Sequence, residues 1–207
     1  KGVDWFLPRT GYTHSLGMRW QNGVSLALDG RGPGRIPRYA RLLYRGTAGV
    51  FSVVGTRIDG AGETAWERHI VRKYGEWTLV LDRVTAGASG ELLAERSWFP
   101  RGECTVQNGG FSSRLQSGGA DVWMHFATCE DVADEGGGHA VERMRHTVEA
   151  GGGAVLAGLL WASDEAMTGT WTLRAMASGW SIGGREGDSA EVELLQRDGK
   201  GCGARVR

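Results

Sequence analysis

Between Trp66 and Pro100 the chain reads WERHIVRKYGEWTLVLDRVTAGASGELLAERSWFP, and its apolar and polar positions fall into three extended runs. Trp66 to Tyr74 mixes β-branched and aromatic residues with charged ones. Trp77 to Val84 carries T-L-V-L with almost no polar break, the pattern of a strand buried on both faces. Leu92 to Phe99 returns as a third run and stops at Pro100. Gly75-Glu76 reads as a two-residue turn with glycine first, and Ala86–Gly90 as a loop. The pattern predicts a three-stranded antiparallel meander at the centre of a sheet.

Asp82 ends the most apolar of these runs, and a buried carboxylate needs a partner. Hairpin parity offers two. A two-residue turn sets His69 opposite Asp82, whereas a three-residue turn sets Arg68 there. Either way a structural ion pair is expected, because residues in mid-strand rarely meet substrate.

Similar runs fill the rest of the chain. Strands are expected at His14–Trp20 and Val24–Leu28 around the turn Asn22-Gly23, and at Tyr39–Arg45 and Val50–Ile58. After Pro100 they recur at 105–107, 111–115, 120–129, 140–149, 154–161, 170–177, 179–182 and 190–195. Asn108-Gly109 marks a tight hairpin, and Ser163–Met167 a short helical turn. No helix of ordinary length and no internal repeat is evident. The expected fold class is all-β: one large antiparallel two-sheet sandwich over residues 14–195. An irregular segment, 1–13, precedes it as the remnant of a larger chain, and a polar tail, 196–207, follows.

Composition narrows the function. No apolar run approaches the ~18 residues of a membrane span, so no membrane partner is expected. The net charge is zero, which argues against a nucleic-acid surface. Of 24 basic residues only Lys1, Lys73 and Lys200 are lysines. Arginine's planar fork suits carboxylates and sulfates, although the abundance of glycine, alanine and arginine together also fits a G+C-rich gene. Cys104, Cys129 and Cys202 lack metal-binding spacing, and Cys104 and Cys129 are close enough in strand order to pair. His125 sits in the apolar V-W-M-H-F and reads as core. His139 and His146 have no ligand partners in spacing, and no P-loop, nucleophile elbow or dinucleotide fingerprint occurs.

The order Arg68-x-x-V, turn, W-x-x-V-x-D, then a strand ending W-F-P resembles the C-terminal β-domain of heparinase II/III-type polysaccharide lyases. The fourteen-residue step from Arg68 to Asp82 belongs to that pattern. Upstream, R-T-G-Y-T-H-S-L at Arg9–Leu16 is similar to the family segment in which a histidine follows a small residue, with Ser15 standing where asparagine is usual. A-R-L-L-Y at Ala40–Tyr44 and G-G-A-V-L-A-G-L-L-W extend the resemblance over most of residues 9–161. It implies an acidic, uronate-containing polysaccharide as substrate, cleaved by β-elimination, with most catalytic groups on an N-terminal α/α toroid that the chain lacks. It also implies a divalent metal, zinc or calcium, held by two histidines and an aspartate, with His14 as the last histidine. The other two ligands would precede residue 1. Tyr12, two residues before His14, shares its face in an extended segment, and Tyr–His pairs serve β-elimination. A periplasmic or secreted location follows from the same resemblance.

Two functions remain. One is the β-sandwich portion of such a lyase, inactive without its toroid and docked to it, or to another subunit, through an apolar surface around Trp5, Phe6 and His14. The other is a non-catalytic sandwich that binds glycans or assembles with other subunits, a role the nine tryptophans would also serve.

Overall fold

A computed structural model of the chain describes residues 23–32, 40–59, 63–136, 138–164, 171–184, 187–197 and 201–207. These residues form sixteen strands. The first six are β1 (Val24–Leu28), β2 (Arg41–Ala48), β3 (Phe51–Asp59), β4 (Thr64–Lys73), β5 (Trp77–Ala86) and β6 (Gly90–Trp98). Then come β7 (Glu103–Gln107), β8 (Gly110–Ser117), β9 (Ala120–Thr128), β10 (Val132–Asp134), β11 (Ala140–Val148) and β12 (Gly153–Ser163). The last four are β13 (Trp171–Met176), β14 (Gly179–Gly184), β15 (Ser189–Arg197) and β16 (Gly201–Val206).

The all-β sandwich is present, and it has three layers rather than two. A central eight-stranded sheet runs β2-β3-β4-β5-β12-β9-β8-β7. A lower sheet, β1-β6-β11-β10, covers one face, and an upper sheet, β13-β14-β15-β16, covers the other. This explains the unbroken apolar run in β5. Val84 and Ala86 pack downward with Leu92, Ala94 and Met144. Trp77, Leu79 and Leu81 pack upward with Leu173, Ile182 and Val192. A third cluster fills the far end of the lower interface with Val80, Trp98, Phe111 and Phe126.

The expected meander also changes. β4 and β5 pair as predicted, but β6 leaves the central sheet for the lower one, between β1 and β11. The place beside β5 is taken by β12, far along the chain. The turn after β4 holds three residues, Tyr74 to Glu76, because Lys73 rather than Tyr74 faces Trp77. Gly75 has φ 79° and Glu76 N–H donates to Lys73 C=O at 3.2 Å, the arrangement of a type II turn with glycine third. Asn108-Gly109 does join β7 and β8 as a two-residue loop, with Gln107 facing Gly110.

Two further expectations meet the structure differently. The polar tail contains β16, which pairs with β15. Cys104 and Cys129 are free thiols: Cys104 faces Ser113, which faces Met124, so Cys129 lies two strands away and further along the sheet. The expected strand at His14–Trp20 and most of the expected turn at Ser163–Met167 lie outside the described residues.

Candidate functional site

Asp82 is fully buried, and the turn length selects its partner. The three-residue turn puts Arg68 opposite Asp82, and Arg68 donates through Nε at 2.7 Å and Nη2 at 2.9 Å to the two carboxylate oxygens. Trp66, two residues away on the same face of β4, donates its indole N–H to Asp82 Oδ1 at 2.7 Å. The strand period places the Trp66 and Arg68 side chains side by side. An ion pair of Asp82 with Arg68 is therefore as expected; His69 lies opposite Leu81 instead.

The lower sheet repeats the device. Arg96 faces Glu142 in register and grips it through Nε at 2.5 Å and Nη2 at 2.8 Å. Trp98, two residues on, donates its indole N–H to Glu142 at 2.8 Å. W-x-R on β4 serves Asp82, and R-x-W on β6 serves Glu142. Arg96 then ties the two sets together: its Nη1 reaches Asp82 Oδ2 at 3.2 Å and the backbone carbonyls of Val80 and Leu156 at 3.2 and 3.1 Å. Gly158 makes room for it, since a Cβ there would stand 2.6 Å from Arg96 Nη2 and 2.4 Å from the Phe126 ring.

The network holds two positive and two negative groups, so its formal charge is zero. Burial pushes the Asp82 pKa up, but the charge and hydrogen bonds of Arg68, with Arg96 and Trp66, more than offset this and leave it below the usual carboxylate range. Burial likewise opposes the charge on Arg96, and Glu142 and Asp82 reverse it. Both carboxylates are satisfied by side-chain donors within the sandwich, so this arrangement clamps the central and lower sheets to each other.

His69 serves a different set on the upper face of the central sheet. Tyr44, Gly55 and His69 form one row across β2, β3 and β4. The Tyr44 ring lies over Gly55, where a Cβ would stand 2.4 Å from it, and its hydroxyl meets His69 Nδ1 at 2.8 Å. His69 Nε2 meets Glu67 at 3.3 Å, and Arg57 Nη1 donates to Glu67 at 2.8 Å. With Nε2 as donor to Glu67 and Nδ1 as acceptor from the Tyr44 hydroxyl, the ring satisfies both neighbours. Asp59 is the main cause holding the Arg57 guanidinium in its charged form, and Glu67 adds to it. Tyr44 is half-buried while His69 and Glu67 are buried, so the line runs inward from one phenol at the sheet margin.

Tyr12 and His14 lie outside the described residues. Among the described residues no group of three His, Cys, Asp or Glu side chains could hold a metal ion. His125 is core, as expected: buried, stacked on Trp161 and hydrogen-bonded to Ser163 at 2.8 Å. Sequence reasoning missed Arg96, Glu142, Tyr44 and Glu67. The mirrored W-x-R and R-x-W pattern was the available signal for Arg96; nothing in the sequence paired Glu142 or Tyr44 with their distant partners.

Three layered antiparallel sheets, the central one covered on both faces, define an all-β sandwich. Comparison with solved structures makes this particular: the chain has the fold of the heparinase III β-sandwich domain. A heparan sulfate lyase HepC mutant from Pedobacter heparinus superposes with a TM-score of 0.55 and 11% identity, over 82% of this chain and 29% of that one. A Heparinase III structure gives 0.54 and 11%, over 81% and 28%, and another Heparinase III gives 0.52 and 10%, over 90% and 30%. The chain thus spans under a third of those proteins' length, consistent with a C-terminal domain. No family model and no curated protein matches it.

Proposed function

We propose that this chain is the β-sandwich portion of a lyase that cleaves uronate-containing polysaccharides by β-elimination. The observation that carries the reading is the superposition on heparinase III structures over 81–90% of the chain. Elimination requires a base for the C5 proton, an acid for the leaving oxygen and a neutraliser for the carboxylate. The family resemblance puts these groups mainly on an N-terminal α/α toroid, with the sandwich as its rigid support. Tyr12 and His14, with a zinc or calcium ion at His14, are the residues of this chain expected to face that toroid. Acidic polysaccharide as partner and a periplasmic or secreted location follow from the same reading.

The test is an ultraviolet assay for the unsaturated uronate product, run on the 207-residue chain and on the longer polypeptide that carries it behind its toroid. The extended protein should release product from heparan sulfate or another acidic polysaccharide, and the isolated chain should not. Product from the isolated chain, or an inactive extended protein on heparin, heparan sulfate, alginate and hyaluronan alike, would overturn the reading.

A further inference from the structure

The lower sheet stops short of the β2 margin of the central sheet. Its outer strand on that side, β1, packs with Ile58 and Trp66, and β2 contributes to neither lower core. Register gathers arginines on this open lower face. Arg45 faces Val54, which faces Ile70, and one step along the sheet Thr47 faces Ser52, which faces Arg72, which faces Thr78. Ile70 packs into the lower core, so the period of two puts Arg68 and Arg72 on the same face. The acids do not follow. Asp59 and Glu67 lie on the upper face, and Asp82, the one acid of β2–β5 below, is buried and held by Arg68. That pair is neutral. Arg45 and Arg72 are exposed, and neither has an ion-pair partner among the described residues. Two positive charges on this face are therefore uncompensated. The Arg72 guanidinium stands 5.1 Å over the Tyr74 ring, which is itself 49% exposed.

We propose that the lower face of β2–β4 binds a chain of acidic polysaccharide, an assignment that rests on the polysaccharide reading above. Arginine's planar fork suits a carboxylate or a sulfate. Arg45 and Arg72 stand two strands apart and one residue pair along, ~12 Å by strand spacing and rise. A polysaccharide with one carboxylate per disaccharide presents its anions at intervals of this order. Thr47, Ser52 and Thr78 supply hydroxyls for the sugar's own, and the Tyr74 ring gives apolar surface to a C–H face. The face is a flat sheet margin rather than a closed pocket, which suits an extended chain. Between the arginines stand Ser52 and Val54, both only partly exposed, not the band of large exposed apolar residues that enters a lipid interface.

The test is fluorescence anisotropy of a labelled heparan sulfate octasaccharide with the 207-residue chain at low salt, where exposed charges are least screened. Labelled maltooctaose is the neutral comparison. The acidic octasaccharide should bind and maltooctaose should not. Arg45→Gln and Arg72→Gln should each raise Kd about tenfold, the loss of one charge-assisted contact. Arg174→Gln removes the same charge from an exposed position on β13 of the upper sheet, and should leave Kd within about twofold at a distance beyond the screening length. All three positions are exposed, so circular dichroism should show each variant folded. No binding by the parent chain, equal binding of maltooctaose, or an equal loss in folded Arg174→Gln would overturn the assignment. Displacement of the octasaccharide by phosphatidylserine vesicles but not by unlabelled octasaccharide would overturn it in favour of a lipid surface. Lyase activity is not read. An active extended protein beside a non-binding chain refutes this face alone, and a binding chain beside an inactive extended protein refutes the lyase reading alone.

Discussion

Replacing Asp82 or Glu142 by alanine removes one carboxylate from a buried set of two arginines and two acids, yet the two losses should differ. Without Asp82, Arg68 is left 20% exposed at its side chain and can swing toward water, while Arg96 keeps both bonds to Glu142. Without Glu142, Arg96 is fully buried and retains only the 3.2 Å contact to Asp82 and two backbone carbonyls. Breaking a buried pair by removing one partner costs about 3–5 kcal/mol. Asp82→Ala should fall near the lower figure, and Glu142→Ala at or above the higher. With a urea slope of roughly 3 kcal/mol/M for a chain of this size, the midpoints should drop by about 1 M and nearly 2 M. Tryptophan fluorescence follows the transition, since Trp66 and Trp98 donate to these carboxylates. The pH dependence supplies a second check on Asp82. Its native pKa is lowered, with Arg68 outweighing burial, so its stabilisation is present above the unfolded value near 3.9 and is lost as pH falls through the native value. The gap between the parent chain and Asp82→Ala should be flat from about pH 8 to 5 and narrow only in acid. A cost below about 1 kcal/mol for either variant, or the reverse ranking, would refute the clamp.

Other outcomes follow from the same contacts. Gly55→Ala should destabilise by about 1–3 kcal/mol through overpacking against the Tyr44 ring, and with Tyr44→Ala the two costs should be less than additive in denaturation; full additivity would contradict the row. Gly158→Ala should cost more than Gly55→Ala in the same urea series, because its Cβ meets Arg96 and Phe126 together, and an equal or smaller cost would count against the Arg96 placement. Mild oxidation should leave no Cys104–Cys129 bond in peptide maps of the native chain, and finding one would refute the register of β7, β8 and β9. The Cys104 thiol, pushed up to about 11 mainly by burial, should be a sluggish target for alkylation at pH 8; rapid labelling would show that β7 opens.

What the sequence determined is local and periodic. Alternation marked β4, the unbroken apolar run marked β5 as covered on both sides, Pro100 ended the β6 run, and Asn108-Gly109 fixed a hairpin. These follow from side-chain period and turn chemistry within a few residues. The apolar run even demanded two covering layers, although nothing in it said which strands would supply them. Tertiary structure decided the rest. A difference of one residue in the Tyr74–Glu76 turn moved Asp82 from His69 to Arg68, because register reverses faces with each step. The departure of β6 to the lower sheet brought Arg96 beneath Asp82, and β11 brought Glu142 from 46 positions away. The upper sheet, including a strand drawn from the supposed tail, supplied the second covering layer. Local pattern fixes which residues face a core, whereas the partner across that core depends on which distant strands stack, and that is settled only when the layers pack.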